Sequence, residues 1–212
     1  MPHVTLFVLG ATGGTGRQIV TQALDAGHQV TVLARDRAKV TMQHPRLEVA
    51  AGDTTSGGAA MTAAMHGHDA VISALGRGRT FQSEDLIQRS VPGIISAMQT
   101  TGVRRLVFTS ALGVGATYQD SPLLSKIFFN TLLRGIYADK LLGDDVIRRS
   151  GLDWTIVQPA MLTDGPLTRT YRSGEHLPMS GIPKISRADT AHFILDRLND
   201  QATFRKTFIL AN

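Results

Sequence analysis

Gly10-Ala11-Thr12-Gly13-Gly14-Thr15-Gly16 follows the apolar run Val4-Thr5-Leu6-Phe7-Val8-Leu9 and opens a helical pattern. A strand that ends in a tight glycine turn and feeds directly into a helix exposes backbone N–H groups at a helix N-terminus, where the helix dipole favours an anion. Each glycine has its own reason there: Gly10 lets the chain turn, Gly13 lets a pyrophosphate approach the backbone, and Gly16 lets helix and strand pack closely. The helix carries Ile19, Val20, Ala23 and Leu24 on one face and ends near Gly27. Gln29-Val30-Thr31-Val32-Leu33-Ala34 then reads as a second strand, which completes a βαβ unit. A merely flexible glycine loop needs no such frame. The spacing is GxxGxxG rather than GxGxxG.

Outward from this unit, Leu47-Glu48-Val49-Ala50-Ala51 reads as a third strand and Ala59 to Met65 as a small helix. Ala70-Val71-Ile72-Ser73-Ala74-Leu75 is a mostly apolar run of the kind found in strands buried on both faces, and Gly76 and Gly78 turn the chain after it. A helix over Glu84 to Thr101 contains Pro92, which predicts a kink or a late start. Arg105-Leu106-Val107-Phe108-Thr109 is a fifth strand, Ala138 to Ser150 a helix stopped by Gly151, and Trp154-Thr155-Ile156-Val157-Gln158 a sixth strand stopped by Pro159. Ser186-Arg187-Ala188-Asp189 fits a capping box with Asp in place of Glu and opens a helix to about Leu198; Lys206 to Ala211 closes the chain as a strand. Strands alternating with helices predict one α/β domain over 1–212, a doubly wound parallel sheet with helices on both faces.

Two stretches, 111–136 and 160–185, read as loops on the substrate side. In the first, Leu123, Leu124, Ile127, Phe128, Phe129, Leu132, Leu133 and Ile136 cover more than one helical face, which fits either a deep core helix or a lid or subunit contact. The second is punctuated by Gly165, Pro166, Gly174, Pro178, Gly181 and Pro183, and loops of that length are uncommon unless they serve a function.

Composition narrows the classes. Hydrophobic residues are 42% and charged residues 18% of 212, which excludes a disordered chain. No apolar run is long enough to span a bilayer, the first strand begins almost at once, and a cytoplasmic protein without membrane contact is expected. Without cysteine there are no disulfides or thiolate metal sites, and His66 and His68 lack partners at ligand spacing, so no metal is expected. The net charge of +5 is spread in short pairs such as Arg104-Arg105 and Arg148-Arg149, which reads as solvated faces rather than a nucleic-acid surface; an anionic cofactor is the other use for it.

Cofactor choice is read just beyond the second strand. NAD-specific sites place an acidic side chain there for the ribose 2′-OH, whereas here Ala34 is followed by Arg35, 19 residues after Gly16, with Arg37 and Lys39 nearby. A guanidinium can grip a 2′-phosphate in a bidentate fork, and Asp36 reads as pointing to solvent or capping the following turn. NADP(H) is therefore expected in preference to NAD(H).

Gly10 to Gly16, Val32-Leu33-Ala34-Arg35-Asp36, Gly52-Asp53, Thr109-Ser110-Ala111 and Ser150-Gly151-Leu152-Asp153-Trp154-Thr155-Ile156-Val157-Gln158-Pro159 resemble the atypical short-chain dehydrogenase/reductases. The chain is most similar to their NAD(P)H-binding group, which contains biliverdin-IXβ reductase (also a flavin reductase) and the NmrA-like proteins. The resemblance implies a Rossmann-type fold over essentially the whole chain. It implies that Gly10, Thr12, Gly13, Gly14, Thr15 and Gly16 hold the pyrophosphate, Arg35 and Lys39 face the adenosine 2′-phosphate, and Asp53 and Thr54 edge the adenine. Ala74, Leu75 and Gly76 would line the ribose, and Thr109, Ser110, Pro159 and Met161 would surround the nicotinamide.

The chemistry departs from the family's pattern. Short-chain dehydrogenases use Tyr-x-x-x-Lys, which puts a phenol and an ammonium on one helix face so that the charge lowers the phenol's pKa. With Lys140 in the Lys position the Tyr position is Ile136, and Tyr137 is rotated about a hundred degrees away. Pro159-Ala160-Met161 places Met161 where the biliverdin reductase has a His, so Met161 reads as a pocket wall. Ser110 and Lys140 remain as catalytic candidates, Ser110 being equally readable as a turn cap. Asp144-Asp145 reads as a solvated pair on a helix. A reductase of a small planar acceptor such as a flavin or quinone can use solvent as proton source, and a non-catalytic NAD(P)H sensor is the alternative. Sugar-nucleotide epimerase chemistry lacks its Tyr-x-x-x-Lys. A monomer or weak homodimer is expected.

Overall fold

Apolar residues in consecutive positions of a strand point to opposite faces, so a strand apolar throughout must be covered on both sides. The computed structural model, which describes residues 3–56, 58–76, 84–122, 126, 127, 131 and 133–212, meets this requirement. β1 (Thr5–Leu9) sends Leu6 and Val8 into one core and Phe7 and Leu9 into another. β5 (Arg105–Thr109) divides likewise, with Val107 on the first side and Leu106 and Phe108 on the second. The remaining long strands are β2 (Gln29–Ala34), β3 (Leu47–Ala51), β4 (Ala70–Ser73), β6 (Asp153–Pro159) and β10 (Lys206–Ala211).

The first core is closed by α1 (Gly14–Asp25) and α5 (Arg187–Asp196), the second by α2 (Ala59–Met65), α3 (Leu86–Thr101) and α4 (Arg134–Arg148). Large side chains such as Phe7, Phe108, Ile94 and Met98 are fully buried, each contributing on the order of 1.5–3 kcal/mol. The eight strands of the main sheet run β3-β2-β1-β4-β5-β6-β10-β8, parallel except for β8 (Arg172–Gly174), which pairs antiparallel with β10. Strand order reverses between β1 and β4, whose Leu9 and Ser73 are paired. The fold is a Rossmann-type, doubly wound α/β sheet with helices on both faces.

Pro92 lies inside α3 after a start at Leu86, later than the expected Glu84. Glu84 and Asp85 both have positive φ, at 47° and 51°, so the helix cannot begin at them. α4 begins at Arg134 rather than Ala138, because Gly135 falls in the first turn, whose N–H groups need no intrahelical partner. The expected loop 160–185 contains β7 (Met161–Thr163) and β9 (Lys184–Ser186), which pair in parallel, as well as β8. Strands this short are too brief to show a period of two. In the other expected loop, Gly115–Tyr118 forms a 3-10 turn. Gly78, Leu123, Leu124, Phe128, Phe129 and Leu132 lie outside the described residues.

The capping box is present: Ser186 Oγ accepts from the Asp189 N–H at 2.9 Å, and α5 follows. The Asp189 carboxylate also accepts from the Thr168 and Arg169 N–H groups and from both the Thr168 and Ser186 hydroxyls, and so anchors the start of the β8 excursion.

Candidate functional site

The glycine turn sits at the reversal of strand order. Gly10 has φ +79°, and a Cβ on it would lie 2.5 Å from the Ala74 carbonyl oxygen; the turn is glycine for both reasons. A Cβ on Gly16 would come within 2.2 Å of the Gly10 carbonyl oxygen, so α1 packs on the turn backbone to backbone. Gly13 differs: its Cβ would meet only the Gly10 oxygen, at 3.3 Å. Among the described residues nothing requires glycine there as strongly, and the space above it is open to a ligand. Gly13 is the N-cap of α1 and so brings no side-chain capping bond, and the first turn of the helix holds no acidic residue. Thr12, Gly13 and Gly14 are exposed and Thr15 is buried. Arg187, the first residue of α5, crosses the turn so that a Cβ on Gly14 would meet its Cδ at 2.7 Å, and its guanidinium donates to Asp164 at 2.6 Å.

Beyond β2 the charged residues separate. Arg35 is exposed and close enough to Asp53, at the end of neighbouring β3, to help hold that carboxyl below its usual range. The largest cause is the hydrogen bond from the Thr55 N–H, with the Thr55 hydroxyl adding a second. Thr54 pairs with Ser90 of α3 at 2.9 Å between hydroxyl oxygens. Asp36 caps the 3-10 turn Arg37–Lys39 by accepting from the Ala38 N–H, so its side chain is engaged locally. Lys39 lines a small, partly open pocket with Arg17, Val20, Val32, Val40 and Met42.

The carboxyl ends of β4, β5 and β6 carry the other expected residues. Ala74 and Leu75 are half-buried and Gly76 exposed, Thr109, Ser110 and Pro159 are buried, and Met161 on β7 is 50% exposed. Behind them lies a buried polar cluster. Ser110 Oγ donates to Asp144 Oδ2 at 2.9 Å, and Gln158 Nε2 approaches the same oxygen at 3.4 Å while donating to the Val114 carbonyl at 3.0 Å. The Thr117 hydroxyl donates to Gln158 Oε1. Arg148 reaches Asp144 Oδ2 at 3.9 Å and bonds Asp145 at 2.9 Å.

This corrects the reading of Asp144-Asp145 as a solvated pair: Asp144 is 0% exposed. It shares a helix face with Lys140 and Ile147, and the helix packs so closely that a Cβ on Gly143 would lie 2.2 Å from Ile87 of α3. Burial pushes the Asp144 carboxyl up to about 6, against the Ser110 hydrogen bond and the nearby charges of Lys140 and Arg148. Burial also lowers the Lys140 ammonium, against Asp144 and Asp139. Tyr137 donates its hydroxyl to the Leu112 carbonyl at 2.8 Å and burial raises its pKa, the opposite of what a phenolic acid beside Lys140 needs.

Gln158 and Arg187 were not among the site residues expected from sequence, and Asp144 was read there as part of a solvated pair. Asp144 had one legible signal, its i+4 spacing from Lys140 on the face that carries Ile147. Buried side-chain polar atoms without a partner among the described residues include Ser73 Oγ, Thr109 Oγ1 and Asp144 Oδ1, at or behind the carboxyl ends of β4 and β5, in addition to His68 Nε2. Buried polar atoms are rarely left unpaired without a reason. The open Gly13 position and the α1 terminus, whose N-cap brings no side-chain bond, fit a dinucleotide laid across the strand ends.

The model of a family described as NAD(P)H-binding matches residues 10–201. A protein of Bacillus subtilis named as an uncharacterized sugar epimerase is 24% identical over 210 residues, 97% of this chain and 92% of that protein. Among solved structures, a short-chain dehydrogenase/reductase of Veillonella parvula in complex with NADP superposes with a TM-score of 0.80 at 18% identity, covering 100% of this chain and 95% of that one. An anaerobillin reductase from Escherichia coli O157:H7 superposes with a TM-score of 0.80 at 22% identity, covering 97% and 96%. At these identities the likeness to the solved structures carries the fold.

Proposed function

The chain belongs to the NAD(P)H-binding family, and from that premise we propose that it is an NAD(P)H-dependent reductase that passes hydride to a small planar acceptor such as a flavin or quinone. The observation that carries this reading is the juxtaposition at the strand ends: an uncapped helix N-terminus behind an open Gly13, and a buried Ser110-Asp144 pair behind the end of β5. A phosphate is held at the first and the reacting ring is presented near the second. The reduced nicotinamide supplies the hydride when bound. Gly10 to Gly16 hold the pyrophosphate, Asp53 and Thr54 edge the adenine, and Ser110 offers its hydroxyl to the ligand. NADPH is preferred through Arg35 and Lys39, because Asp36, the acidic residue next to Arg35 in sequence, is engaged with the Ala38 N–H of its own turn.

A relative named as a sugar epimerase does not shift this reading, since Ile136 occupies the position of the phenol and Tyr137 is bonded to Leu112. NADPH oxidation assayed with FMN, dichlorophenolindophenol and simple quinones tests it. Turnover with at least one of them is expected. Tight NADPH binding with no turnover on any acceptor overturns the reductase and favours a dinucleotide sensor.

A further inference from the structure

We propose that Asp144 and Ser110 form a proton relay in which the carboxyl stores a proton and the serine hydroxyl hands it to the acceptor in the cleft; the proposal rests on the reductase reading above. Ser110 directly follows β5 at the carboxyl end of the sheet, is 4% exposed, and its Oγ is bonded to Asp144 Oδ2 at 2.9 Å. Asp144 is buried behind it, and its second oxygen, Oδ1, has no partner among the described residues. A buried carboxylate oxygen without a donor is costly, whereas a neutral carboxyl tolerates the same surroundings. Burial raises its pKa to about 6, so Asp144 takes up a proton more readily than an ordinary aspartate, although Ser110, Lys140 and Arg148 oppose the shift.

Among the described residues the groups facing Asp144 come from four elements. Lys140 and Arg148 flank it on α4, with Asp139 beyond Lys140 and Asp145 taking up Arg148; β5 contributes Ser110 and β6 contributes Gln158. α3 presents Ile87 and Val91 at Gly143, and Tyr137 is turned to the Leu112 carbonyl. Asp144 is thus the acid in this set with a direct hydrogen bond to Ser110.

In the relay the Ser110-Asp144 hydrogen bond first reverses, so that protonated Asp144 donates from Oδ2 to Ser110 Oγ and the Ser110 O–H turns to the acceptor. The Ser110 O–H bond then breaks as an oxygen or nitrogen of the acceptor takes the proton, Asp144 gives its proton to Ser110 Oγ, and the buried carboxylate regains one from solvent back through Ser110 once the product has left. No electrons move in these steps; the hydride comes from the reduced nicotinamide. This assigns the role that the sequence, lacking Tyr-x-x-x-Lys, leaves to solvent.

The test uses infrared spectroscopy of the cofactor-free protein together with steady-state turnover on a simple naphthoquinone. The wild type should show a protonated-carboxyl band that titrates near pH 6, is missing in Asp144→Asn, and moves to higher pH in Ser110→Ala, because the Ser110 hydrogen bond holds that pKa down. Asp144→Asn and Ser110→Ala should each lower kcat about a hundredfold at pH 7, the double variant should add little, and Ser110→Thr should restore most of the rate. The wild-type kcat should fall as pH rises past the band's midpoint, and Asp144→Asn should lose that dependence. An absent band, an Asp144→Asn that keeps the wild-type pH profile, or additive losses in the double variant overturn the relay. A band that behaves as expected with no turnover on any acceptor overturns the reductase reading instead. If Asp144→Asn does not fold, the band shift and rate of Ser110→Ala and its rescue by Ser110→Thr decide the matter.

Discussion

Asp139 of α4 caps α3: its Oδ1 accepts the Gln88 N–H at 2.9 Å, and its Oδ2 accepts the Ile87 N–H at 3.1 Å. α3 starts after Asp85 in a left-handed conformation with no capping bond from that residue, so a side chain distant in sequence satisfies its first N–H groups. With Gly143 against Ile87, this bond sets where α4 lies and hence where Asp144 meets Ser110.

Asp139→Ala should therefore cost about 1–2 kcal/mol, the worth of a helix cap, read as a lowered urea midpoint with an unchanged slope. Because α4 is held partly by this bond, NADPH affinity should change little while turnover falls. A variant as stable as the wild type would show that α3 keeps its start without the cap.

The glycines of the turn after β1 should separate under alanine substitution. Gly16→Ala drives a Cβ to 2.2 Å from backbone and should lower both melting temperature and cofactor affinity. Gly13→Ala meets only one oxygen at 3.3 Å and should fold nearly as the wild type while binding NADPH at least tenfold more weakly. Thermal melts and fluorescence titrations of both variants check this. Unchanged NADPH affinity in Gly13→Ala would remove that position from the site.

Cofactor selection should follow the cations beyond β2. Arg35→Ala should weaken NADPH by about 1.5–3 kcal/mol, the worth of hydrogen bonds to a charged group, and leave NADH nearly untouched. Lys39→Ala should act in the same direction but less, as a point charge without a fork. Equal losses for both cofactors in Arg35→Ala would mean that Arg35 acts through Asp53 and the adenine side.

Asp189 should make the stability acid-sensitive. Burial works to raise its pKa, but hydrogen bonds from the Arg169 N–H, the Ser186 hydroxyl and Thr168 outweigh this and hold the carboxyl below its usual 3.8. A depressed folded-state pKa means that the stabilisation is complete above the unfolded value and is lost as pH falls through the folded one. Asp189→Asn should lose at least about 1.5–3 kcal/mol at pH 7, and the gap to the wild type should shrink below about pH 4. Urea titrations of both proteins at pH 7, 4 and 3 give the comparison; a gap independent of pH would assign the loss to shape alone.

The long parallel strands, the glycine turn after β1 and the Ser186-Asp189 cap were legible in the sequence because each rests on local chemistry, whereas the short strands of 160–185 were not. A strand buried on both faces must be apolar throughout, a turn of positive φ takes glycine, and a cap needs an oxygen three residues from its donor. Tertiary structure decided what depends on contacts between distant residues. Asp139 caps a helix 51 residues away, Arg187 lies over Gly14, and Asp144, one of two adjacent aspartates of identical appearance, is buried against Ser110 while Asp145 stays at the surface with Arg148. The reason is geometric. Successive helix positions are about a hundred degrees apart, so the packing of α4 on α3, set by Gly143, chooses which carboxyl enters the site.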